Sequence, residues 1–513
     1  MIVAQNIKES VSGEFHLKLM DKGRDPWNRW AITVLADDKL SDIEGIFSEL
    51  RPYSVEELTE LYTSLGLKQH QELAVDASFK GLEGLNVNFT HCLFPGEVNF
   101  ENVQFNGFIS FDKAQFCSIA NFKGAQFSDG AYFGNVQFCS IANFEKTQFC
   151  SLAYFKDAQF SGGAYFKDAE FSRVANFINA KFSTGANFLN AKFSDNVNFS
   201  KAQFNELAYF DDAQFSKNVD FEKTQFSGIA SFEKTQFNEG AFFVKAKFSK
   251  DAFTNDVNFK HAQFSGDVDF QNVEFGGSAN FKNAKFIKNA DFNHVDFTSK
   301  TDFSYATFNF PPRFHETNIN QGTSFYQVQW PTVSSEPHLD KDAWRTLKQA
   351  MNKVQDHEQE LMFFGFEMDA KINTGKQEIK ELNKGKWWGT YRQKQGIRAY
   401  IIGLWCYKFF SGYGTSLWRP LSLLVVTWFI FAVLYSLPGW GIPATPWLEG
   451  FQLSWGNMLP FASMTKTALA TIGFDKDNPL GLCLQIVTSF QNFVSTILLF
   501  LIGLAAKHRL SIK

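Results

Sequence analysis

Phenylalanine recurs along the middle of this chain at a spacing that alternates between five and six residues. The series begins at Phe89, Phe94 and Phe100 and continues to Phe325, with one six shortened to a five at Phe253. It comprises 44 positions, 43 of which are Phe. Because 62 of the 513 residues are Phe, the series rules out a disordered chain and dictates how the central half can fold.

Neither a single helix nor a single strand accommodates this spacing. A mean step of about 5.5 residues rotates a helical side chain by about half a turn, and alternating odd and even steps would place Phe on both faces of one strand. The position two residues before each Phe is small or apolar, as at Ala120, Ala125 and Ala131, and is charged only at Asp251. Each unit therefore turns one small and one large side chain inward on a short extended segment, and a bend follows.

Units such as ANFKGAQFSDGAYF (120–133) and ANFLNAKFSDNVNF (186–199) resemble the Phe-rich variant of the pentapeptide-repeat family, whose pattern is A-[N/D]-F-x-x. This resemblance implies a right-handed, four-sided parallel β-helix over residues 77–328. Four faces of about 5.5 residues make a coil of about 22 residues, so the series predicts about 11 coils with stacked Phe inside. The Phe-series break at Phe253 is interpreted as a tolerated deletion or, alternatively, as a kink or docking point.

Residues 1–76 are expected to form a helical cap on the first coil. EFHLKLMDKGRDPWNRW (14–30) resembles the segment that precedes pentapeptide repeats in many bacterial proteins, and it predicts one helix that places Trp27 and Trp30 on the exposed aromatic end. Ser54 and Glu57 have the spacing of a capping box, which predicts the start of another helix.

Residues 329–383 are predicted to form one long amphipathic helix. Their segment 344–371 resembles the helix that follows the repeats in membrane-attached members of the same family. Apolar side chains recur there at threes and fours, at Trp344, Leu347, Met351, Val354, Leu361, Phe364 and Met368. His357 and Glu360 lack a third nearby ligand, so we interpret them as a solvated helix face rather than a metal site.

Residues 384–420 combine basic and aromatic side chains and contain no acidic residue. Such a segment suits a membrane surface or a nucleic acid. Its position immediately before an uncharged apolar run favours the membrane. The predicted membrane-surface residues are Lys384, Lys386, Arg392, Lys394, Arg398, Lys408 and Arg419.

Residues 421–513 are predicted to be a transmembrane module with two spans, 421–437 and 480–506, both uncharged. Basic residues precede the first span and follow the second, so the positive-inside rule places both chain ends and the β-helix in the cytoplasm. We therefore expect a two-span protein of the bacterial inner membrane.

The loop between the spans is apolar enough to re-enter the bilayer. The order helix, loop, helix resembles two-helix cation channels, and ATIGFD (470–475) is similar to the potassium-filter signature T-V-G-Y-G-D without its second Gly. The resemblance implies a pore loop at Thr467, Thr471, Ile472, Gly473, Phe474 and Asp475. A polar stripe on the second span faces either a pore or a neighbouring helix, and it consists of Gln485, Thr488, Asn492 and Ser495.

Two functions follow from these features. The first is a homo-oligomeric ion channel, a tetramer by the channel resemblance, whose cytoplasmic β-helix senses a ligand or partner. The alternative is a membrane-anchored scaffold whose β-helix faces bind proteins. Partners would be the lipid bilayer, further copies of the chain, proteins and monovalent ions. Nucleic acid is not expected, because the net charge is only −4. No catalytic constellation, cofactor motif or metal-ligand set is apparent, so we do not expect an enzyme.

Overall fold

The computed structural model describes residues 13–35, 50–67, 77–79, 88–249, 257–331, 337–383, 387–437, 447–458 and 479–511. The chain divides into two compact units, Met1–Val333 and Ser334–Lys513. The first unit is dominated by two-residue strands and the second by helices.

The strands form four parallel sheets, numbered here in the order in which a coil visits them. Sheet 1 contains Leu93–Phe94, Gln115–Phe116, Gln137–Phe138, Gln159–Phe160, Lys181–Phe182, Gln203–Phe204, Gln225–Phe226, Lys247–Phe248, Glu274–Phe275 and Asp296–Phe297. Sheet 2 contains Ala77–Ser78, Val98–Asn99, Ala120–Asn121, Ala142–Asn143, Ala164–Tyr165, Ala186–Asn187, Ala208–Tyr209, Ala230–Ser231, Val257–Asn258, Ala279–Asn280 and Thr301–Asp302.

Sheets 3 and 4 complete the coil. Sheet 3 contains Gln104–Phe105, Gln126–Phe127, Gln148–Phe149, Glu170–Phe171, Lys192–Phe193, Gln214–Phe215, Gln236–Phe237, Gln263–Phe264, Lys285–Phe286 and Thr307–Phe308. Sheet 4 contains Ile109–Ser110, Ala131–Tyr132, Ala153–Tyr154, Ala175–Asn176, Val197–Asn198, Val219–Asp220, Ala241–Phe242, Val268–Asp269 and Ala290–Asp291. The predicted four-sided parallel β-helix is confirmed, with about ten coils.

The interior is filled by stacked phenylalanine rings, as predicted. Most strands pair in parallel with the strand 22 positions later, so that equivalent Phe residues lie directly above one another. Phe188, for example, stacks on Phe166 and Phe210 with ring centroids 4.8 and 4.9 Å away and planes within 1° of parallel. Rings on neighbouring faces meet edge to face, so each ring has both of the favourable aromatic geometries.

The polar residue of the A-[N/D]-F unit has a structural role at the corner that follows it. Asn99 Oδ1 accepts a hydrogen bond from the backbone N–H of Glu101 at 2.9 Å, and Asn121 does the same for Lys123 at 3.1 Å. The turn then closes through Val103 N–H, which donates to Phe100 O, with Asn102 at a φ of 58°. An Asx turn followed by a left-handed residue therefore reverses the chain at these corners.

The break in the Phe series is an insertion and not the tolerated deletion of the first interpretation, whereas the alternative, a kink or docking point, falls on residues outside the described ones. Ala230 pairs with Val257, 27 positions later instead of 22, and Phe232 stacks on Phe259 at 4.8 Å. The ladder position expected for Phe253 is thus occupied by Phe259, and Phe253 itself lies outside the described residues.

Three helices lie at the N-terminal side of the β-helix: α1 (Gly13–Asp21), α2 (Arg24–Val34) and α3 (Val55–Ser64). The single helix predicted over 14–30 is two helices, because Gly23 interrupts it at a φ of 106°. Trp27 and Trp30 are fully buried, as predicted, and the Trp27 indole N–H donates to Leu93 O at 2.7 Å.

The cap also provides partners for backbone groups that would otherwise lack them. Asn28 donates to His91 O and accepts from Leu93 N–H, at 2.8 and 2.9 Å, so it binds the free edge of the first coil. Ser54 and Glu57 form the predicted capping box at the start of α3. The cap thus satisfies polar groups as well as covering aromatic rings.

The second unit begins with α4 (Pro337–Val354) and α5 (His357–Leu382), two helices where one was predicted. Gln355 has a φ of 63°, and the Asp356 side chain accepts from Gln359 N–H, so the chain stops one helix and caps the next. The two helices fold back on each other, and the ring centroids of Trp344 and Phe363 lie 5.8 Å apart. The apolar spacing continued in phase across the turn, which is why periodicity alone suggested one helix.

A buried carboxylate joins α4 to α5. Glu367 is 2 % exposed and contacts Lys348 at 2.6 Å, Lys371 at 2.8 Å and Arg345 at 3.5 Å. Burial alone would raise the pKa of Glu367, but the hydrogen bonds and charges of Lys348 and Lys371 outweigh burial and lower this pKa below its ordinary value.

The remaining helices are α6 (Trp387–Ser411), α7 (Trp418–Ser436), α8 (Trp447–Met458) and α9 (Pro479–Ser511). The segments Trp418–Ser436 and Ile486–Lys507 are long and apolar enough to cross a membrane. They correspond to the predicted spans. Part of the predicted re-entrant loop is α8, which packs against α7, and residues 459–478 of that loop lie outside the described residues.

We expect Phe182→Ala to lower the free energy of unfolding by about 3–5 kcal/mol, because it removes a buried ring from the stack between Phe160 and Phe204. The matched control is Lys181→Ala, which changes the exposed neighbour in the same strand. Urea unfolding of the full chain in detergent, followed by far-ultraviolet circular dichroism, measures both. Equal losses for the two variants would contradict the stacked core.

We expect Glu367→Gln to destabilise the second unit by about 1.5–3 kcal/mol at pH 7, since it removes charge-assisted hydrogen bonds. Because the pKa is lowered on folding, the wild-type contribution is present above the unfolded-state pKa of about 4.5 and is lost as pH falls through the lower folded-state pKa. Thermal unfolding between pH 7 and pH 3 should show a smaller acid-dependent loss for this variant. Glu358→Gln, on the exposed face of α5, should behave as the wild type.

Candidate functional site

A buried polar cluster joins the three membrane-module helices α7, α8 and α9. Gln491 is fully buried and accepts a hydrogen bond from the Tyr435 hydroxyl at 2.8 Å. Its Nε2 donates to Ser454 O at 3.0 Å and to Ser454 Oγ at 2.9 Å. Ser454 in turn donates to Trp428 O at 2.7 Å. A glutamine in an apolar helix is thereby satisfied by groups from both neighbouring helices.

The predicted polar stripe of α9 is divided by this packing. Thr488 and Ser495 are buried, at 6 % and 0 % exposure, on the same face as Gln491. Asn492 is half-buried beside that face, and the side chain of Gln485 lies outside the described ones. The buried polar positions are therefore Thr488, Gln491 and Ser495, at steps of three and four; Thr488 and Ser495 belong to the predicted stripe, and Gln491 is an addition to it.

The opposite faces of the two candidate spans are apolar and exposed. Phe429 is 53 % exposed on α7, and Phe493 and Phe500 are 64 % and 68 % exposed on α9. Only 22 % and 28 % of the two spans are buried, whereas the core helix of a soluble protein would be mostly buried. The exposed faces of α7 and α9 thus form a large apolar surface, which must be covered by an apolar environment.

Close packing between α7 and α8 depends on a small residue. A Cβ at Gly450 would lie 2.9 Å from Ala432 O and closer still to the Ser436 hydroxyl. Glycine lets the two backbones approach, as small residues do where helices meet in membranes. The approach brings Ser454, one turn further along α8, within reach of Gln491.

The basic and aromatic segment forms α6 and the turn to α7. Arg392 and Arg398 are exposed on α6, Lys394 is half-buried, and Lys384 and Lys386 lie outside the described residues. Tyr400 and Trp405 are more than half exposed on the same helix. The described part of this segment thus exposes both basic and aromatic side chains.

The end of α6 is fixed to α5 by one carboxylate. Asp369 accepts from Lys408 Nζ at 2.7 and 2.8 Å and from the Tyr413 hydroxyl at 2.7 Å. Burial, with the hydrogen bond to Asp369, raises the pKa of Tyr413, so the phenol keeps its proton and donates. Met368 and Ile372 pack beside Tyr413 and complete this contact.

One exposed and two partly buried aromatic side chains lie along sheet 4 of the β-helix. Phe108 is 54 % exposed, its ring centroid lies 4.7 Å from that of Tyr132, and Tyr132 lies 5.9 Å from Tyr154. Gly130 leaves space for the Tyr132 ring, because a Cβ there would lie 2.7 Å from it. We call Phe108, Tyr132 and Tyr154 the aromatic patch. It interrupts a surface whose other outward positions are mostly polar.

The predicted pore-loop residues Thr467, Thr471, Ile472, Gly473, Phe474 and Asp475 lie outside the described residues. Within the described ranges, no group of three or more His, Cys, Asp or Glu side chains is arranged to hold a metal ion. His357 and Glu360 contact each other at 3.1 Å on α5.

Several residues of these sites were missed by sequence reasoning. Gln491, Tyr435 and Ser454 belong to three separate segments, so only the fold brings them together, although Gln491 has helical spacing to Thr488 and Ser495. Phe108 is a Phe outside the five–six series, which is a signal that it points away from the core.

The family model for pentapeptide repeats, in nine copies, matches the chain in six overlapping segments: residues 89–137, 122–170, 166–214, 210–258, 252–296 and 281–329. These segments coincide with the four-sided β-helix. Residues 89–329 therefore form a pentapeptide-repeat domain, and the chain also has two helices that are long and apolar enough to cross a membrane. No curated protein and no solved structure matches it.

We expect Gln491→Leu to lower the stability of the helical unit by about 1–2 kcal/mol, because it leaves Tyr435 and Ser454 without their partner. Tyr435→Phe should lower the stability less than Gln491→Leu does. The double variant should lose less stability than the sum of the two single losses, because both single variants remove the same Tyr435–Gln491 hydrogen bond. Thermal unfolding in detergent measures the cycle. Phe493→Leu, on the exposed face of α9, is the control, and strict additivity would contradict the described hydrogen bond.

Proposed function

We propose that this chain is a membrane-anchored scaffold of the bacterial inner membrane. In this proposal Trp418–Ser436 and Ile486–Lys507 hold the chain in the bilayer, and the pentapeptide-repeat domain binds protein partners from the cytoplasm. The proposal assigns no catalytic step and no cofactor to the chain.

The observation that carries the proposal is the division of the spans into two faces. Gln491 and its partners Tyr435 and Ser454 are hydrogen-bonded within one subunit, whereas Phe429, Phe493 and Phe500 are exposed. Ser495 Oγ and the side chain of Asn457 are buried without a hydrogen-bond partner among the described residues. Lipid stabilises exposed apolar side chains and offers no hydrogen bonds to buried polar ones. The arrangement around Gln491 suits an anchor, because these polar residues are used for packing between helices of one chain.

The proposed orientation follows from charge. Arg392, Lys394, Arg398 and Lys408 precede the first span, Arg419 lies in its first turn, and Lys507 and Arg509 lie at the end of the second span. Basic residues beside a span remain on the cytoplasmic side. Both ends of the helical module, and with them the repeat domain, are accordingly assigned to the cytoplasm.

The repeat domain is the proposed partner-binding part because its surface is regular and carries the aromatic patch. Most outward side chains on the sheets are Gln, Asn, Lys or Asp. Phe108, at 54 % exposure, is an exception on which an apolar contact can be built. Protein partners are proposed because aromatic side chains are enriched where proteins meet.

The anchor is tested by alkaline carbonate extraction of cell membranes that contain the full chain. We expect the full chain to stay in the pellet and a chain ending at Val333, the boundary of the first compact unit, to be in the soluble fraction. Extraction of the full chain into the supernatant would contradict membrane insertion.

The scaffold role is tested by a photo-crosslinking residue placed in the full chain at Phe108 and, as a control, at Lys181 on sheet 1. We expect a discrete crosslinked protein from position 108 and none from position 181. Equal or absent crosslinking at both positions would argue against the aromatic patch as a docking surface.

A homo-oligomeric ion channel is the second candidate, and Asn492 is the observation that favours it. This side chain is half-buried and lies between the buried polar face of α9 and its exposed apolar face, where a neighbouring subunit could cover it. The potassium-filter resemblance at 470–475 is consistent with this candidate. A channel predicts ion flux in liposomes that contain the full chain, reduced by Asn492→Leu, whereas an anchor predicts no flux from either protein.

A further inference from the structure

A cleft of about 510 Å³ lies between the end of α6 and the start of α7. One part of its lining is cationic and hydroxylic, and the other part is aromatic and aliphatic. The lining residues are Trp405, Lys408, Phe409, Arg419, Ser422 and Leu423.

The two cations of the cleft have different partners. Lys408 is paired with Asp369 at 2.7 Å, so its charge is largely balanced. The Arg419 guanidinium makes one long contact, 3.4 Å, to the main-chain oxygen of Lys408 and forms no ion pair with a carboxylate in the described part of the chain. The cleft therefore carries about one uncompensated positive charge on a side chain with several free donors.

The cleft also has an apolar wall that a free anion would leave uncovered. Trp405 and Phe409 stack at 5.5 Å with planes 9° apart, and they are 57 % and 53 % exposed. Leu423 lies one turn after Arg419 on the candidate span. Cationic and apolar groups adjoin where the span begins, which is the level of lipid headgroups.

The surroundings of Arg419 hold the guanidinium near the cleft. Gly412 has a φ of 58°, and a Cβ at this position would lie 3.4 Å from Arg419 Nη1. Ser422 Oγ donates to Arg419 O at 2.9 Å, so its hydroxyl oxygen remains available as an acceptor on the cleft wall. The turn between α6 and α7 thus keeps the basic group beside the aromatic pair.

We propose that this cleft binds an anionic phospholipid, with the headgroup phosphate on Arg419 and an acyl chain along Leu423, Trp405 and Phe409. Guanidinium groups bind phosphate through two parallel hydrogen bonds, and basic pockets between membrane helices on the cytoplasmic side suit such headgroups. The proposal rests on the membrane insertion of α7 proposed above, and it adds a specific lipid site to that anchor.

Native mass spectrometry of the purified full chain in detergent tests the site. The chain is titrated with phosphatidylglycerol, with phosphatidylcholine of the same acyl chains, and with inorganic phosphate. We expect the wild type to prefer phosphatidylglycerol, and Arg419→Gln to weaken that binding by about fivefold without changing phosphatidylcholine binding. Arg419→Lys should keep most of the preference, because the charge remains.

The matched control is Arg398→Gln, which removes the same charge from an exposed position of α6 outside the cleft. Equal phosphatidylglycerol binding by Arg419→Gln and Arg398→Gln would overturn the proposal, as would a wild type without preference between the two lipids. Binding of inorganic phosphate as tightly as phosphatidylglycerol would also overturn it, because the apolar wall would then contribute nothing. A chain that resists carbonate extraction but fails this test loses only the lipid site, whereas a chain that is extracted loses the anchor as well.

Discussion

The repeat domain depends on one constraint: every coil must return each phenylalanine to a position directly above its equivalent in the coil before. In-register pairing of the two-residue strands places each Phe above its equivalent. The stacked rings stabilise this position, as with Phe188 between Phe166 and Phe210. The inner side chains, the Asx turns at the corners and the left-handed residues that follow them all serve the same repeat. Each coil contacts only its neighbours, so the two end coils must be covered by other segments of the chain. At the N-terminal end, Trp27 and Asn28 cover the first coil and bind its backbone oxygens.

The helical unit obeys a different constraint, the need to satisfy polar groups inside apolar helices. Gln491 finds its partners on two other helices, and Gly450 brings one of those helices close enough. Charged residues of α5 are handled in the same way, because Glu367 and Asp369 each accept from lysines of neighbouring helices or of the next turn. A chain that mixes very apolar helices with a few buried polar groups obtains a specific packing from those groups.

Much of the fold could be predicted because its signal is periodic and local. The Phe series, the small residue two positions earlier and the capping box at Ser54 each determine a structure within a few residues. Helix boundaries and contacts between separate helices were harder to predict from the sequence. The turn at Gln355 was hidden because apolar spacing continued across it, although Asp356 followed by Gln359 is a helix-start signal. The cluster around Gln491 was missed because its members lie on separate helices.

The five extra residues near Phe253 show how the repeat domain separates its core from its perimeter. Pairing and stacking continue from Phe232 to Phe259 as though those residues were not present. The corner between sheets 1 and 2 can therefore accommodate additional sequence without changing the phase of the strands on either side. Such corners are natural graft points: a tag, a short recognition peptide or a newly evolved loop could be spliced there while the column of rings keeps its order.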